Sequence, residues 1–197
     1  MTDYSQDGEQ QHILAACPEE HGRFLDVGAW HPTEKSNTRA LFDRGWDGVM
    51  VEPSPVPFAN LVQEYGPVPR RVTLINKAAG LQPGTLHFWI TDDAVSTSDP
   101  AIYKKWKVAA KYVGELDVPV ITLEQLYDNY GPFNFVSLDT EGTSVALFKR
   151  LMEMGQRPRC ICLEYDELLR EARARAEASG YNIVQQNGTN IVMVHSR

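Results

Sequence analysis

Short apolar runs alternate with helix-like stretches along most of the chain. Five apolar runs, each followed by a glycine, an acid or an asparagine, predict strands buried on both faces of a parallel sheet. These runs cover residues 24–27, 48–51, 71–75, 133–138 and 159–163. The stretches between them predict helices over residues 34–44, 57–65, 123–130, 142–152 and 166–179. This alternation predicts an α/β fold: a mostly parallel, Rossmann-like sheet with helices on both faces.

The C-terminal part of the chain departs from the parallel pattern. Residues 181–184 and 190–194, joined by a loop that contains Asn187-Gly188, predict an antiparallel hairpin. This ending differs from that of a dinucleotide dehydrogenase. In the middle of the chain, residues 84–91 alternate in polarity and predict an extra strand.

Length and composition favour one domain over residues 1–197, with a flexible polar segment at 1–11 and a short helix ending near Ala16. The formal net charge of −7 argues against broad binding to nucleic acid, which requires a basic face. Three cysteines without a metal-binding spacing indicate reduced thiols and a cytoplasmic protein. The sequence contains neither a signal-peptide pattern nor an apolar run long enough to span a membrane.

The stretch from Phe24 to Pro55 carries the first candidate ligand site. A strand, a turn at Gly28, a helix and a second strand followed by Glu52 form one βαβ unit of a nucleoside-binding sheet. Gly28 would allow the backbone to turn sharply and to approach a ligand closely. An acid at the position of Glu52 can accept hydrogen bonds from the hydroxyls of a ribose.

The turn after the first strand indicates which nucleoside is bound. Dinucleotide sites usually carry G-x-G-x-x-G, whereas residues 28–32 (GAWHP) contain one glycine, so a pyrophosphate cradle is poorly supported. Asp26, just before the glycine, suits a cationic ligand. S-adenosylmethionine has a ribose, an ammonium and a sulfonium but no phosphate, so these residues favour methyl transfer. The alternative is that Asp26 and Glu52 only cap strands and helices in another α/β protein.

Three motifs in order resemble the FkbM family of S-adenosylmethionine-dependent methyltransferases. They are DVGAWHP with SNT and RGW-x-G-x3-EP in the first unit, a strand ending in D-x-E-G at 135–142, and the closing strand pair at 181–194, which contains Asn190. The resemblance spans roughly residues 23–195. It implies a seven-stranded methyltransferase sheet and, usually, O-methylation of a sugar or another hydroxyl. Trp30 departs from the family pattern, in which this position is more often small or polar.

The resemblance also implies which residues hold S-adenosylmethionine. They are Asp26, Gly28, Ala29, Glu52, Pro53, Asn76, Lys77 and Ala78. In this arrangement Asn76 would hydrogen-bond the adenine and Ala78 would pack against it. An ordinary loop over residues 76–80 is the alternative.

Three residues are candidates for the transfer step. Asp139 and Glu141 follow the fourth strand, where the methyl group of the donor should point. We expect Asp139 to act as a base or as a metal ligand. Glu141 would assist it, or would instead cap the following helix. His31 would act as a base, or would order the turn through Pro32.

A divalent cation is a further expectation. Asp139 and Glu164 follow the fourth and fifth strands, which should be adjacent, so their carboxylates should meet at one sheet edge. Glu141 and Asp166 are close to them in sequence. Clustered carboxylates are the ligands that Mg²⁺ or Ca²⁺ prefers, and such a cation would lower the pKa of an acceptor hydroxyl.

Residues 92–117 are predicted to be an insertion on the acceptor side, because loops on a rigid scaffold carry binding. Its helical part, predicted over 101–113, combines lysines with aromatic residues: Lys104, Lys105, Lys107 and Lys111 beside Tyr103, Trp106 and Tyr112. These side chains could bind a phosphate or stack on a sugar or base, or could form an ordinary solvated helix face. The predicted partner is a small-molecule or carbohydrate acceptor; nucleic acid is a less favoured alternative.

Two other functional classes remain open on these residues. The first is a nicotinamide-dependent oxidoreductase on a Rossmann sheet. The single-glycine turn and the terminal hairpin argue against this class. The second is a methyltransferase-like domain that binds a ligand or partner without turnover, which Trp30 in the turn keeps open.

Overall fold

The computed structural model describes residues 2–91 and 94–196. Within them, the strands are β1 Arg23–Val27, β2 Asp47–Val51, β3 Val72–Ile75, β4 Ala78–Gly80, β5 Thr85–Thr91, β6 Tyr112–Thr122, β7 Phe135–Leu138, β8 Cys160–Glu164, β9 Tyr181–Gln186 and β10 Asn190–His195. The helices are α1 Glu9–Ala16, α2 Arg39–Arg44, α3 Pro55–Tyr65, α4 Pro100–Trp106, α5 Leu123–Tyr130, α6 Ser144–Glu153 and α7 Leu169–Ala178. Residues 92 and 93 of the predicted insertion lie outside the described residues, as do Met1 and Arg197 at the ends of the predicted domain.

A seven-stranded sheet in the order β3-β2-β1-β7-β8-β10-β9 forms the centre of the molecule. Strands β3, β2, β1, β7 and β8 run parallel, whereas β10 pairs antiparallel with both β8 and β9. The predicted mostly parallel, seven-stranded sheet with an antiparallel C-terminal hairpin is confirmed. Strands β7 and β8 are neighbours, so the residues that follow them meet at one edge, together with those that follow β1 and β2.

Each face of this sheet has its own hydrophobic core. One core joins alternate strand residues such as Leu25 and Val136 to helices α5, α6 and α7. The other joins the intervening residues, such as Phe24 and Phe135, to α1, α2 and α3. Successive side chains of a strand point to opposite faces, so a strand covered on both faces is mostly apolar, as the sequence pattern indicated. Cys17, Cys160 and Cys162 are buried free thiols in the second core.

A second, three-stranded sheet in the order β4-β6-β5 was only partly predicted. Strand β5 matches the predicted strand at 84–91, but the helix predicted over 101–113 ends at Trp106. Residues 112–122 instead form one long strand, in which exposed Pro119 separates buried Val118 and Val120. The loop expected at 76–80 contains the short strand β4, which pairs parallel with β6.

Two predicted helices begin later than expected because the preceding residues adopt left-handed backbone conformations. Helix α2 begins at Arg39 rather than at residue 34, since Lys35 has φ +52°. Helix α7 begins at Leu169 rather than at residue 166, since Asp166 and Glu167 have φ +42° and +67°. Such conformations interrupt a right-handed helix.

The N-terminal segment is packed against the domain, in contrast to the expectation of a flexible segment over residues 1–11. Helix α1 begins at Glu9, and both Glu9 and Gln10 are buried. The carboxylate of Glu9 accepts hydrogen bonds from the side-chain amides of Asn187 and Asn190 in the terminal hairpin. The polar composition of residues 1–11 was therefore not a sign of a flexible segment. Among the described residues, no helix combines the length and apolar character needed to cross a bilayer.

Candidate functional site

A cavity of about 590 Å³ opens at the carboxyl edge of β1, β2, β7 and β8. Its volume lies within the range of small-molecule and cofactor sites, and its position is the one at which open α/β sheets bind ligands. One part is lined by residues that follow β1 and β2, and another part by residues that follow β7 and β8. A wall formed by residues 94–106 faces these strand ends.

Most of the residues predicted to hold the donor line this cavity. They are Asp26, Gly28, Ala29, Glu52, Pro53 and Ala78. Asn76 and Lys77 are not among the lining residues. The side-chain amide of Asn76 instead donates to the carbonyl oxygens of Glu52 (2.8 Å) and Pro53 (3.2 Å), so it fixes the turn after β2 from outside the cavity.

Gly28 is required by a contact within the protein. Its φ is +84°, and a Cβ at this position would lie 1.6 Å from the carbonyl oxygen of Asp139. The turn after β1 therefore packs directly on the residue that follows β7, with the N–H of Asp139 bonded to the carbonyl of Val27 at 2.9 Å. The glycine allows this approach between two loops, rather than only the approach of a ligand that the sequence suggested.

Glu52 lies at the base of the cavity and is only 4% exposed. Its two carboxylate oxygens accept the backbone N–H groups of Trp30 (3.0 Å) and Ser54 (2.7 Å). Burial raises its pKa, while these hydrogen bonds oppose the rise. A carboxylate has about four acceptor positions, so Glu52 retains capacity for the hydroxyls of a ribose.

Asp26 is held by a residue that sequence reasoning did not assign to the site. The hydroxyl of buried Thr38 donates to the carboxylate of Asp26 at 2.5 Å. Beside it, the amide of Asn37 donates to the hydroxyl of Ser137, which is the register partner of Asp26 on β7. Burial raises the pKa of Asp26 to about 7, although the bond from Thr38 lowers it. The available sequence signal was the SNT triplet, which belongs to one of the family motifs.

Asp139, Glu141 and Glu164 converge at the other part of the cavity. One carboxylate oxygen from each lies within 4.8 Å of the others. An oxygen of Glu164 also accepts the N–H of Glu141 at 3.2 Å and the hydroxyl of Ser144 at 3.3 Å. The predicted meeting of Asp139 and Glu164 is therefore present, with Glu141 in addition.

Burial and mutual repulsion set the protonation of this cluster. Burial is the main cause that raises the pKa of Asp139 to about 6, and burial together with the charge of Asp139 raises that of Glu141 to about 8. The same two causes raise the pKa of Glu164 strongly. Three carboxyl groups this close cannot all be ionised near neutral pH, so they share protons or are neutralised by a cationic ligand.

His31 is not among the lining residues of the cavity. Its Nδ1 accepts the backbone N–H groups of Thr33 (3.2 Å) and Glu34 (3.0 Å), and its ring lies 5.5 Å from that of Trp30. This geometry supports the second role considered for His31, which is to order the turn. Trp30 itself lines the cavity, and this contribution was not assigned from the sequence.

Backbone strain is concentrated at the cavity. Among the described residues other than glycine, those with positive φ are Trp30, Lys35, Glu141, Asp166 and Glu167. All of them line the cavity. Residues held in such conformations cost free energy and cluster at ligand and active sites, so their distribution independently supports this cavity as the functional site.

The described part of the predicted insertion is fixed to the loop after β7. The hydroxyl of buried Thr97 donates to the carbonyl of Glu141 at 2.6 Å. A Cβ on Gly142 would lie 2.9 Å from Asp99 Cβ, so α4 packs directly on this glycine. The ammonium of Lys105 pairs with Glu167 at 2.6 Å, and Lys105 also lines the cavity. Of the lysines singled out in the sequence, Lys105 is thus the one that reaches this site.

A sequence model of the Methyltransferase FkbM domain matches residues 26–171, which is more than half of the chain. The chain belongs to the FkbM methyltransferase family. The matched FkbM segment begins at Asp26 and contains Gly28, Glu52, Asp139 and Glu164, so it includes both parts of the cavity. No curated protein sequence matches the chain.

Solved structures with the same fold include other methyltransferases. A Methyltransferase FkbM from Methylobacillus flagellatus KT has 13% identity and a TM-score of 0.58, over 89% of this chain and 44% of that one. A precorrin-6y C5,15-methyltransferase from Geobacter metallireducens GS-15 has 11% identity and a TM-score of 0.55, over 100% of this chain and 92% of that one. The present FkbM chain thus spans less than half the length of the first structure. At these identities the likeness shows the fold alone.

Proposed function

We propose that this chain is an S-adenosylmethionine-dependent methyltransferase that methylates a hydroxyl of a small or carbohydrate-type acceptor. The observation that carries the proposal is one continuous cavity with two parts. One part contains Glu52, a buried acid at the position expected to bind a ribose, and the other contains the cluster of Asp139, Glu141 and Glu164. Family membership supports the reaction class. The acceptor and the choice of oxygen as nucleophile are part of the proposal.

The lining of the cavity fits S-adenosylmethionine. Glu52 has acceptor positions left for the ribose, and Ala78 offers a small apolar surface for a base. Asp26 and Asp139 provide acidic groups that a ligand with an ammonium and a sulfonium would help to ionise. S-adenosylmethionine supplies, when bound, a methyl group already activated for displacement.

Asp139 is the residue that we propose as the base. It follows β7 directly, and its backbone is fixed by the bond from its N–H to Val27 and by the contact with Gly28. With a pKa of about 6 it is largely ionised at neutral pH and can accept a proton from an acceptor hydroxyl. The partly buried carboxyl of Glu141 is mostly protonated there and can donate a hydrogen bond to the same oxygen.

The acceptor would enter between the cluster and the wall formed by residues 94–106. This wall contributes Ser96 and Ser98 as hydrogen-bonding groups, Trp106 as an aromatic surface and Lys105 as a charge. Such a mixture suits a polar small molecule or a sugar. The overall negative charge of the chain does not support a nucleic-acid acceptor.

A divalent cation at Asp139 and Glu164, beside which the structure also places Glu141, stays a prediction. The proton sharing described above accounts for the same cluster without a cation. Methyl transfer that is unchanged in excess EDTA would exclude a required cation.

A nicotinamide cofactor is not favoured by the geometry. A pyrophosphate is normally held at a helix N-terminus that follows the glycine turn directly. Here residues 29–38 separate Gly28 from the first residue of α2, and several of them are fixed against the sheet. No comparable observation favours a domain without turnover.

Calorimetric titration of S-adenosylhomocysteine and of NAD into the protein tests the donor site. We expect binding of S-adenosylhomocysteine alone, weakened about tenfold or more in Glu52→Ala. Glu153→Ala is a matched control, because this exposed acid pairs with Arg150 and Arg175 outside the cavity. Thermal unfolding of each variant separates loss of the site from loss of the fold. Binding of NAD, or of neither compound, would contradict the proposal.

A further inference from the structure

The segment before α1 spans two walls of the cavity. We call residues 2–8 the strap. Two sets of contacts, one near each end, attach it to elements that are far apart in sequence. Between these attachments Gln6 lines the cavity.

The first attachment is to the loop between β1 and α2. The backbone N–H of Ser36 donates to the carbonyl of Tyr4 at 2.8 Å. The guanidinium of Arg39 lies 5.6 Å from the centre of the Tyr4 ring. Ser36 precedes Asn37 and Thr38, which bind residues of β7 and β1, so this end of the strap is fixed near those two strands.

The second attachment is to the terminal hairpin and depends on Glu9, which is fully buried. Its carboxylate accepts the N–H of Asp7 at 2.8 Å and the side-chain amides of Asn187 (2.6 Å) and Asn190 (2.9 Å). The amide of Gln185 donates to the carbonyl of Asp7 at 3.2 Å. Burial opposes ionisation of Glu9, but these hydrogen bonds outweigh it and lower its pKa.

The order of the strands determines where the strap lies. Its attachments are near β1 and β7 at one end and at β10 at the other, so the strap passes over the ends of β7 and β8. Glu52 and Ala78 lie on the opposite side of β1, after β2 and β3. Gln6 therefore faces the part of the cavity that is remote from the proposed ribose and adenine contacts.

The side chain of Gln6 is available to a ligand. It is exposed at the mouth of the cavity and forms no hydrogen bond with another described residue. An amide offers both donors and an acceptor. It can therefore contact a group that carries a carboxylate and an ammonium together.

We propose that the strap is part of the donor site, that Gln6 hydrogen-bonds the amino-acid end of bound S-adenosylmethionine, and that Glu9 positions the strap. This inference rests on the proposed function. It assigns a binding role to a segment that lies outside the family match, which begins at residue 26.

Two probes that share the adenosine part test this contact. S-adenosylhomocysteine has the amino-acid end, and 5′-methylthioadenosine lacks it. By calorimetry, we expect Gln6→Ala to weaken the binding of S-adenosylhomocysteine about fivefold or more. The affinity for 5′-methylthioadenosine should change less than about twofold. Glu9→Gln should act in the same direction, because a side-chain amide cannot accept all three hydrogen bonds. Glu19→Gln is the control, since this residue pairs with Arg159 away from the cavity.

Hydrogen exchange provides a second readout on the same proteins. Exchange of the amides of residues 3–9 should slow when S-adenosylhomocysteine binds the wild type, and this protection should be lost in Glu9→Gln. Unchanged affinity in Gln6→Ala, or equal weakening of both probes, would overturn the inference alone. Failure of the wild type to bind S-adenosylhomocysteine would overturn the proposed function and this inference together.

Discussion

Gly28 and Asp139 approach so closely that a Cβ at position 28 would lie 1.6 Å from the carbonyl oxygen of Asp139. This contact joins the turn after β1, which we assign to the donor, to the residue after β7, which we assign to the transfer. The two parts of the site are therefore coupled through backbone atoms. A change in either loop must displace the other.

Gly28→Ala should disrupt both fold and site. The alanine would adopt a left-handed φ and would force the two loops apart, so we expect destabilisation of about 2 kcal/mol or more, measured by urea unfolding. Binding of S-adenosylhomocysteine should weaken as well. Gly155→Ala is the control: Gly155 has φ +73°, and nothing lies within 4 Å of its added Cβ. If both variants lose the same stability, the contact with Asp139 is not what requires glycine.

Thr38→Val tests the hydrogen bond that holds Asp26. Valine has the shape of threonine but lacks the hydroxyl that donates to the buried carboxyl, so we expect a loss of about 1–3 kcal/mol in the free energy of unfolding. The pKa of Asp26 should rise further, because the bond from Thr38 lowers it. Thr85→Val, at an exposed position on β5, is the matched control. Equal stability of Thr38→Val and the wild type would contradict the assigned role.

Ala78→Leu and Lys77→Leu compare neighbouring positions inside and outside the cavity. Ala78 is 5% exposed and lines the cavity, whereas Lys77 does not line it. We expect the larger side chain at position 78 to weaken the binding of S-adenosylhomocysteine about tenfold or more. The larger side chain at position 77 should change this affinity less than about twofold. Thermal unfolding checks that both variants are folded. The reverse order of effects would mean that the base binds elsewhere.

The sheet was predictable because its strands are covered on both faces. Uninterrupted apolar runs such as 48–51 are the direct consequence of such burial. The acids of the site were predictable for a related reason, since Glu52 and Asp139 directly follow these runs and must lie at the carboxyl edge.

The remaining features depend on tertiary contacts that no local pattern contains. Residues 101–113 have helix-like character, but pairing with β5 makes residues 112–122 a strand. The hydroxyl of Thr38 is part of the site only because the loop folds back onto Asp26. Polar Glu9 is buried because its partners, Asn187 and Asn190, come from the other end of the chain.

Glu141 should make stability depend on pH. In the folded protein burial and nearby Asp139 raise its pKa to about 8, from an ordinary value of 4.5, so the folded state holds this proton more tightly than the unfolded chain. The stability that this proton contributes is complete at acid pH and is lost as the pH rises from about 4.5 to about 8.

Glu141→Gln cannot lose a proton. Its stability relative to the wild type should therefore increase by about 1 kcal/mol or more between pH 5 and pH 9, measured by urea unfolding. Glu177→Gln, on the exposed side of α7, controls for the general effect of removing an acid. A difference between Glu141→Gln and the wild type that stays constant with pH would show that Glu141 is already ionised in the folded protein. The hydrogen-bonding role proposed for its protonated form would then be excluded.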